Sequence, residues 1–105
     1  MDSDYCVVIT TFDDAEVGKK IIDSLIEKKL AACVQISDIV SYFPWEGKVN
    51  EAKEKLVLIK TKKSLYNEVE RCILEKHSYE IPEIIELPIE SGSVNYLDWI
   101  KKECK

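Results

Sequence analysis

Two long strand-forming stretches, Ala31 to Phe43 and Val49 to Lys62, flank one short turn signal, Glu46-Gly47-Lys48. Runs joined by a tight turn pair as an antiparallel hairpin. A hairpin this long overhangs any sheet that a small domain builds, and a free two-stranded ribbon is marginal in water. The outer half of the returning strand, Asn50 to Lys55, is polar, whereas Leu56, Val57, Leu58 and Ile59 are apolar on both faces. The ribbon therefore wants a partner. Ala32, Val34 and Ile36 alternate on one face and Ile39 falls on the other, which predicts a bulge or bend near Ser37-Asp38. Pro44 has no N–H to give to a ladder and marks an edge or a bend.

The rest of the chain supplies what the hairpin packs on. Tyr5 to Phe12 is an apolar, β-branched run that predicts a strand buried on both faces. Asp13, with Glu16 three residues on, predicts a capped helix start. Gly18, Ile21, Ile22, Leu25, Ile26 and Leu30 then recur at helical spacing, giving a helix over about 14–29. Ser64 is the expected cap of a second helix carrying Leu65, Val69, Cys72 and Ile73 on one face and reaching about Lys76. The residue before a proline favours extended backbone, so Ile81 is expected to open the strand that continues through Ile84–Ile89, with Pro88 at an edge or an end. Gly92 turns the chain, Asn95 caps, and Tyr96 to Glu103 form a last helix.

Strand, helix, strand, strand, helix, strand, helix is an α+β pattern, a ferredoxin-like βαββαβ sandwich with an extra C-terminal helix. Two helices cover one face of a four-stranded sheet, yet several strands are apolar on both faces. The other face must be buried too, and oligomerisation through the sheet is the economical answer.

Residues 1–105 form one domain, because a chain of this length with three Gly, three Pro and no linker or repeat has a single core. There are 20 acidic and 15 basic residues, and Arg71 is the only arginine. That balance argues against nucleic-acid binding, which needs clustered cations. No apolar run is long enough to cross a membrane. Met1-Asp2-Ser3-Asp4 is acidic and lacks a basic leader, so a cytoplasmic chain is expected.

Candidate chemistry is sparse. Cys6, Cys33, Cys72 and Cys104 are irregularly spaced in apolar segments, where free cysteines act as small hydrophobes. A thiol nucleophile would pair Cys33 with His77, the only histidine. His77 itself reads in two ways. It is either a polar loop residue stabilising a helix end or a soft-metal ligand. One histidine makes no closed site, so Cys33, Glu80, Glu83 or a second subunit would have to help. Trp45, Tyr42 and Phe43 sit at the hairpin end, and Tyr96 and Trp99 on the last helix. They read as core or subunit-contact aromatics, or as walls of a ligand cleft with Lys60, Glu80 or Glu83 as polar contacts.

Five motifs resemble one family in register. Leu30-Ala31-Ala32-Cys33-Val34 resembles the "LAACV" signature of the divalent-cation tolerance (CutA) proteins, and Trp45-Glu46-Gly47-Lys48 their "WEGK" hairpin. Lys60-Thr61 resembles their "KT" strand end, His77 to Ile84 their "HPYEVPEI", and Tyr96 to Ile100 their "YLxW" helix. The resemblance implies a PII-like homotrimer with a long hairpin between the second and third strands. It implies no enzymatic activity and no required cofactor, and it links the chain to tolerance of copper, as Cu(II), and other divalent cations. Carried over, His77, Cys33, Glu80 and Glu83 become metal-ligand candidates. The alternative is a PII-like module binding a small ligand or protein at inter-subunit clefts lined by Trp45, Lys60, Tyr79, Glu80 and Trp99. Ser78 replaces the family's usual Pro, Phe43 replaces an aromatic with a hydroxyl, and Thr10 stands where some members have Cys.

Overall fold

In the computed structural model, residues 4–105 are described, and Met1, Asp2 and Ser3 at the acidic start lie outside them. The elements are β1 (Tyr5–Phe12), α1 (Ala15–Glu27), β2 (Cys33–Trp45), β3 (Lys48–Lys62), a 3-10 turn (Lys63–Leu65), α2 (Tyr66–Lys76), β4 (Ile84–Pro88) and α3 (Val94–Glu103). The sheet is antiparallel throughout, in the order β2-β3-β1-β4. This is the ferredoxin-like arrangement expected from the sequence, with α3 added.

Alternation assigns the two faces. Cys6, Val8 and Phe12 of β1 face the same side as Val57 and Ile59 of β3, and with Ile21, Leu25, Val69 and Ile73 of the helices they make the core. The opposite face holds Val7, Ile9, Leu56, Leu58, Ile85 and Leu87, and neither α1 nor α2, which pack on the core side, covers it. Ile85 and Leu87 are 46% and 48% exposed.

Helix ends depart from the sequence reading in detail. Asp14, not Asp13, caps α1, accepting from the N–H groups of Glu16 and Val17. Ser93, not Asn95, caps α3, which therefore starts at Val94. No side chain caps α2. Ser64 is spent in the 3-10 turn that carries β3 into the helix. α1 ends at Glu27, and the chain reverses through Lys29 at φ 57, where Leu30 N–H reaches back to Leu25 C=O.

The hairpin carries the largest correction. Pairing from Cys33↔Lys60 to Trp45↔Lys48 runs without a break, so there is no bulge at Ser37-Asp38. The apolar phase shifts because the surroundings change, not the register. β1 ends at Phe12↔Lys55, and beyond that pair β2 and β3 form a bare ribbon whose two faces are both open. The ribbon closes on a two-residue turn, Glu46 at φ 51 and Gly47 at φ 75, the left-handed pair that matches strand twist. The ribbon exposes Val40, Tyr42, Trp45 and Val49, the last by 82%. β4 begins at Ile84, so Ile81 lies in the loop and is 88% exposed.

Candidate functional site

The open face carries two polar clusters at opposite ends of an apolar strip. The first lies where β1 stops and the ribbon begins. β3 loses a neighbour there, and the loop after α2 takes its place. His77 Nε2 donates to the Thr11 carbonyl at 2.6 Å, which makes Nδ1 the acceptor for the Tyr79 N–H at 3.1 Å. The His77 and Tyr79 rings sit 4.5 Å apart. Tyr79 Oη then donates to Glu54 at 2.6 Å. Burial pushes the Glu54 carboxyl up, but bonds from Ser41, Tyr79 and Thr11 and the nearby imidazole outweigh it. The net result lies below the usual carboxylate range. Burial, then the hydrogen bond to Glu54, pushes the Tyr79 phenol up, so it stays a donor.

The second cluster lies at the far end of β3. Lys60 sits on the open face with Cys33 of β2 and Val7 of β1 as its cross-strand neighbours. Its ammonium stands 5.6 Å from the centre of the Tyr96 ring, which stacks on Trp99 at 5.7 Å. α3 is brought here by Ile100, fully buried, and by Cys104. Thr61, the residue after Lys60, points the other way. It donates to the Leu30 carbonyl at 2.5 Å and meets the Cys104 sulfur at 3.6 Å. Lys60-Thr61 thus places a cation on the open face and ties the end of β3 to the core.

The sequence-derived metal set is dispersed within one chain. Cys33 pairs with Lys60, whereas the strand residue bonded by His77, Thr11, pairs with Leu56. Those positions are about 13 Å apart along β3 at roughly 3.3 Å per residue. Glu80 and Glu83 are exposed on the loop. Among the described residues no group of three or more His, Cys, Asp or Glu could hold a metal ion. The Cys33–His77 pairing considered for thiol chemistry is spread by the same distance. All four cysteines are free, and Cys6, Cys72 and Cys104 are buried. Burial, reinforced by Glu86, pushes the Cys6 thiol up to about 12, which keeps it protonated.

The cleft set is also split. Lys60 and Trp99 belong to the second cluster and Tyr79 to the first. Trp45 pairs with Lys48 at the ribbon tip, about 40 Å from Lys60 along the strand at roughly 3.3 Å per residue. Sequence reasoning missed Glu54, Ser41, Thr11 and the cation contact of Tyr96. Glu54 stands in a polar run, Asn50 to Lys55, that gives no sign of which carboxylate meets a tyrosine 25 residues away. On the other side of the ribbon base, an open concavity of about 600 Å³ is lined by Phe12, Asp13, Asp38, Val40, Lys53 and Lys55, among others. Asp38 and Lys55 form an ion pair across it.

A four-stranded antiparallel sheet in the order β2-β3-β1-β4, with a projecting ribbon and an added C-terminal helix, defines a ferredoxin-like α+β protein. The family model for the "CutA1 divalent ion tolerance protein" matches residues 6–103, and the chain belongs to that family. It is 43% identical over 100 residues to "Protein CutA, chloroplastic" of Arabidopsis thaliana, covering 94% of this chain and 55% of that protein. The chain thus spans about half of that relative's length. The crystal structure of CutA1 from Oryza sativa superposes with TM-score 0.92 and 40% identity, covering 99% of this chain and 96% of the other. The structure of the periplasmic divalent cation tolerance protein CutA from Archaeoglobus fulgidus superposes with TM-score 0.90 at 39% identity, over 94% and 97% of the two chains. The family model and the Archaeoglobus protein are named for tolerance of divalent ions rather than for a reaction. Among the described residues no helix is long and apolar enough to cross a membrane.

Proposed function

We propose that this chain works as a non-enzymatic homotrimer in divalent-cation tolerance and that its ligand sites are completed between subunits. One observation carries the reading. A ribbon with both faces open continues directly from an uncovered sheet face bearing Val7, Ile9, Leu56, Leu58, Ile85 and Leu87. Apolar surface on that scale in a small domain favours a partner, and a second and third copy supply matching surfaces. The number three comes from the family resemblance.

Direct binding of a divalent cation, Cu(II) above all, belongs to the same proposal. His77 is its principal ligand, with Cys33, Glu80 and Glu83 contributed as neighbouring subunits allow. Binding at Nδ1 displaces the Tyr79 N–H, so metal and the Tyr79 loop compete for the same lone pair. The dispersal of the four candidates within one chain favours a site shared between chains. A cytoplasmic location is part of the proposal, although relatives carry chloroplastic and periplasmic names.

Native mass spectrometry with and without Cu(II) tests both parts. A trimer carrying copper in wild type and not in His77→Ala supports them. A monomer near 12.1 kDa refutes the assembly, and equal copper uptake by both proteins refutes the role of His77.

A second reading is favoured by the Lys60–Tyr96–Trp99 arrangement. It is a PII-like module whose inter-subunit clefts take a small ligand or a protein, with Trp45 from one ribbon tip closing over Lys60 and Trp99 of the next chain. Its test is a thermal-shift screen in which metals are inert and a metabolite stabilises.

A further inference from the structure

We infer that Lys60, Tyr96 and Trp99 form a subsite for a small anion carrying a flat ring, either an aromatic carboxylate or a ring-bearing phosphate ester. The inference deepens the cleft reading by naming its ligand class. The three residues all come from one chain, and in the cleft reading on which the inference rests the next chain's Trp45 completes the site around them.

The charge points to an anion. Lys60 rises from the sheet between Val7 and Cys33, a partly buried and weakly polar floor. Among the described residues it forms no ion pair, and its ammonium lies over the Tyr96 ring. An ammonium held on an aromatic face keeps N–H groups free for a carboxylate or phosphate oxygen. Partial burial strengthens such a contact relative to one in open solvent.

The rings point to a planar group. Tyr96 and Trp99, one helical turn apart, stack with an interplanar angle of 28° and are 39% and 40% exposed. With the Lys60 ammonium over the Tyr96 ring and Trp99 stacked on that ring, the exposed remainder of the pair is aromatic surface available to a planar group. The Trp99 indole N–H makes no hydrogen bond among the described residues, so the ring pair also offers a second donor. The platform is rigid, because Ile100 is fully buried and Leu97 packs on the core. A flat ring stacked there, with its anionic group turned to Lys60, uses both features at once.

Calorimetric titration of the full chain with four probes tests this. Adenosine monophosphate carries ring and phosphate, benzoate carries ring and carboxylate, ribose 5-phosphate carries the anion alone and adenosine the ring alone. At least one of the first two should bind at least tenfold more tightly than either single-feature probe. Lys60→Met should weaken that binding at least tenfold and Lys60→Arg should retain it, whereas Trp99→Leu should weaken it several-fold. Light scattering on the same samples reports the oligomer independently, so failure of the trimer and failure of the subsite are distinguishable. The inference is overturned if neither ring-bearing anion binds at about 5 mM, a free energy of only some 3 kcal/mol. It is equally overturned if Lys60→Met binds as wild type does, or if ribose 5-phosphate alone matches adenosine monophosphate. If only adenosine monophosphate or only benzoate binds, the ligand class narrows to phosphate ester or carboxylate.

Discussion

Removing one hydroxyl should expose how the loop after α2 is held on the sheet. In Tyr79→Phe the ring can keep its place 4.5 Å from His77, while Glu54 loses its 2.6 Å donor. A hydrogen bond to a charged acceptor contributes about 1.5–3 kcal/mol. Glu54 is only partly buried, so screening lowers the expected loss to about 1–2 kcal/mol at pH 7. The pH dependence makes the prediction specific. The Glu54 carboxyl lies below its ordinary 4.5 in the folded protein. A depressed folded value contributes stability that is fully present above the unfolded value and lost as pH falls through the folded one. The variant, with one donor fewer, binds its proton more readily in the folded state. Wild type and variant should therefore differ most near neutrality and converge in acid. Urea denaturation at fixed protomer concentration, at pH 7 and about pH 3.5, measures both differences. The loss should fall to less than half between the two. An equal loss at both pH values would mean that the hydroxyl acts through packing rather than through the carboxylate, and no loss at pH 7 would remove the bond from the account altogether.

Two further substitutions probe the core beneath the open face. Gly18→Ala brings a Cβ within 2.3 Å of the Phe12 ring, a buried core side chain, so the variant should lose about 1–3 kcal/mol in the same denaturation assay. Wild-type stability would mean that Phe12 yields without cost. Thr10 is 1% exposed and its hydroxyl finds no hydrogen-bond partner among the described residues, so Thr10→Val should raise stability by about 1 kcal/mol, and a lowered melting temperature would show that the hydroxyl is satisfied after all.

Local patterns in the chain carried most of the architecture. The apolar run at Tyr5–Phe12, the 3.6-residue recurrence in α1 and the Glu46-Gly47 turn each depend on neighbours a few positions away, so each was legible without knowing the fold. Caps were less so. Asp13 and Asp14 are alike as acceptors, as are Ser93 and Asn95, and the choice depends on which backbone turns first.

The clusters on the open face belong to tertiary structure alone. His77, Tyr96 and Trp99 drew attention by residue type, and Lys60 by motif. Yet nothing along the chain sets Glu54 apart from Glu51, or says that Tyr79 fills the gap left where β1 ends. The same holds for the apparent break at Ser37-Asp38. A change of hydrophobic phase looks like a bulge when only the sequence is in hand. The fold shows an unbroken ladder leaving its sheet, because strand register is set by pairing, whereas the burial of each face is set by whatever packs against it. Periodicity and turn chemistry are properties of neighbours along the chain. Which carboxylate meets which phenol, and which cation rests on which ring, depends on contacts that form only after the strands have paired.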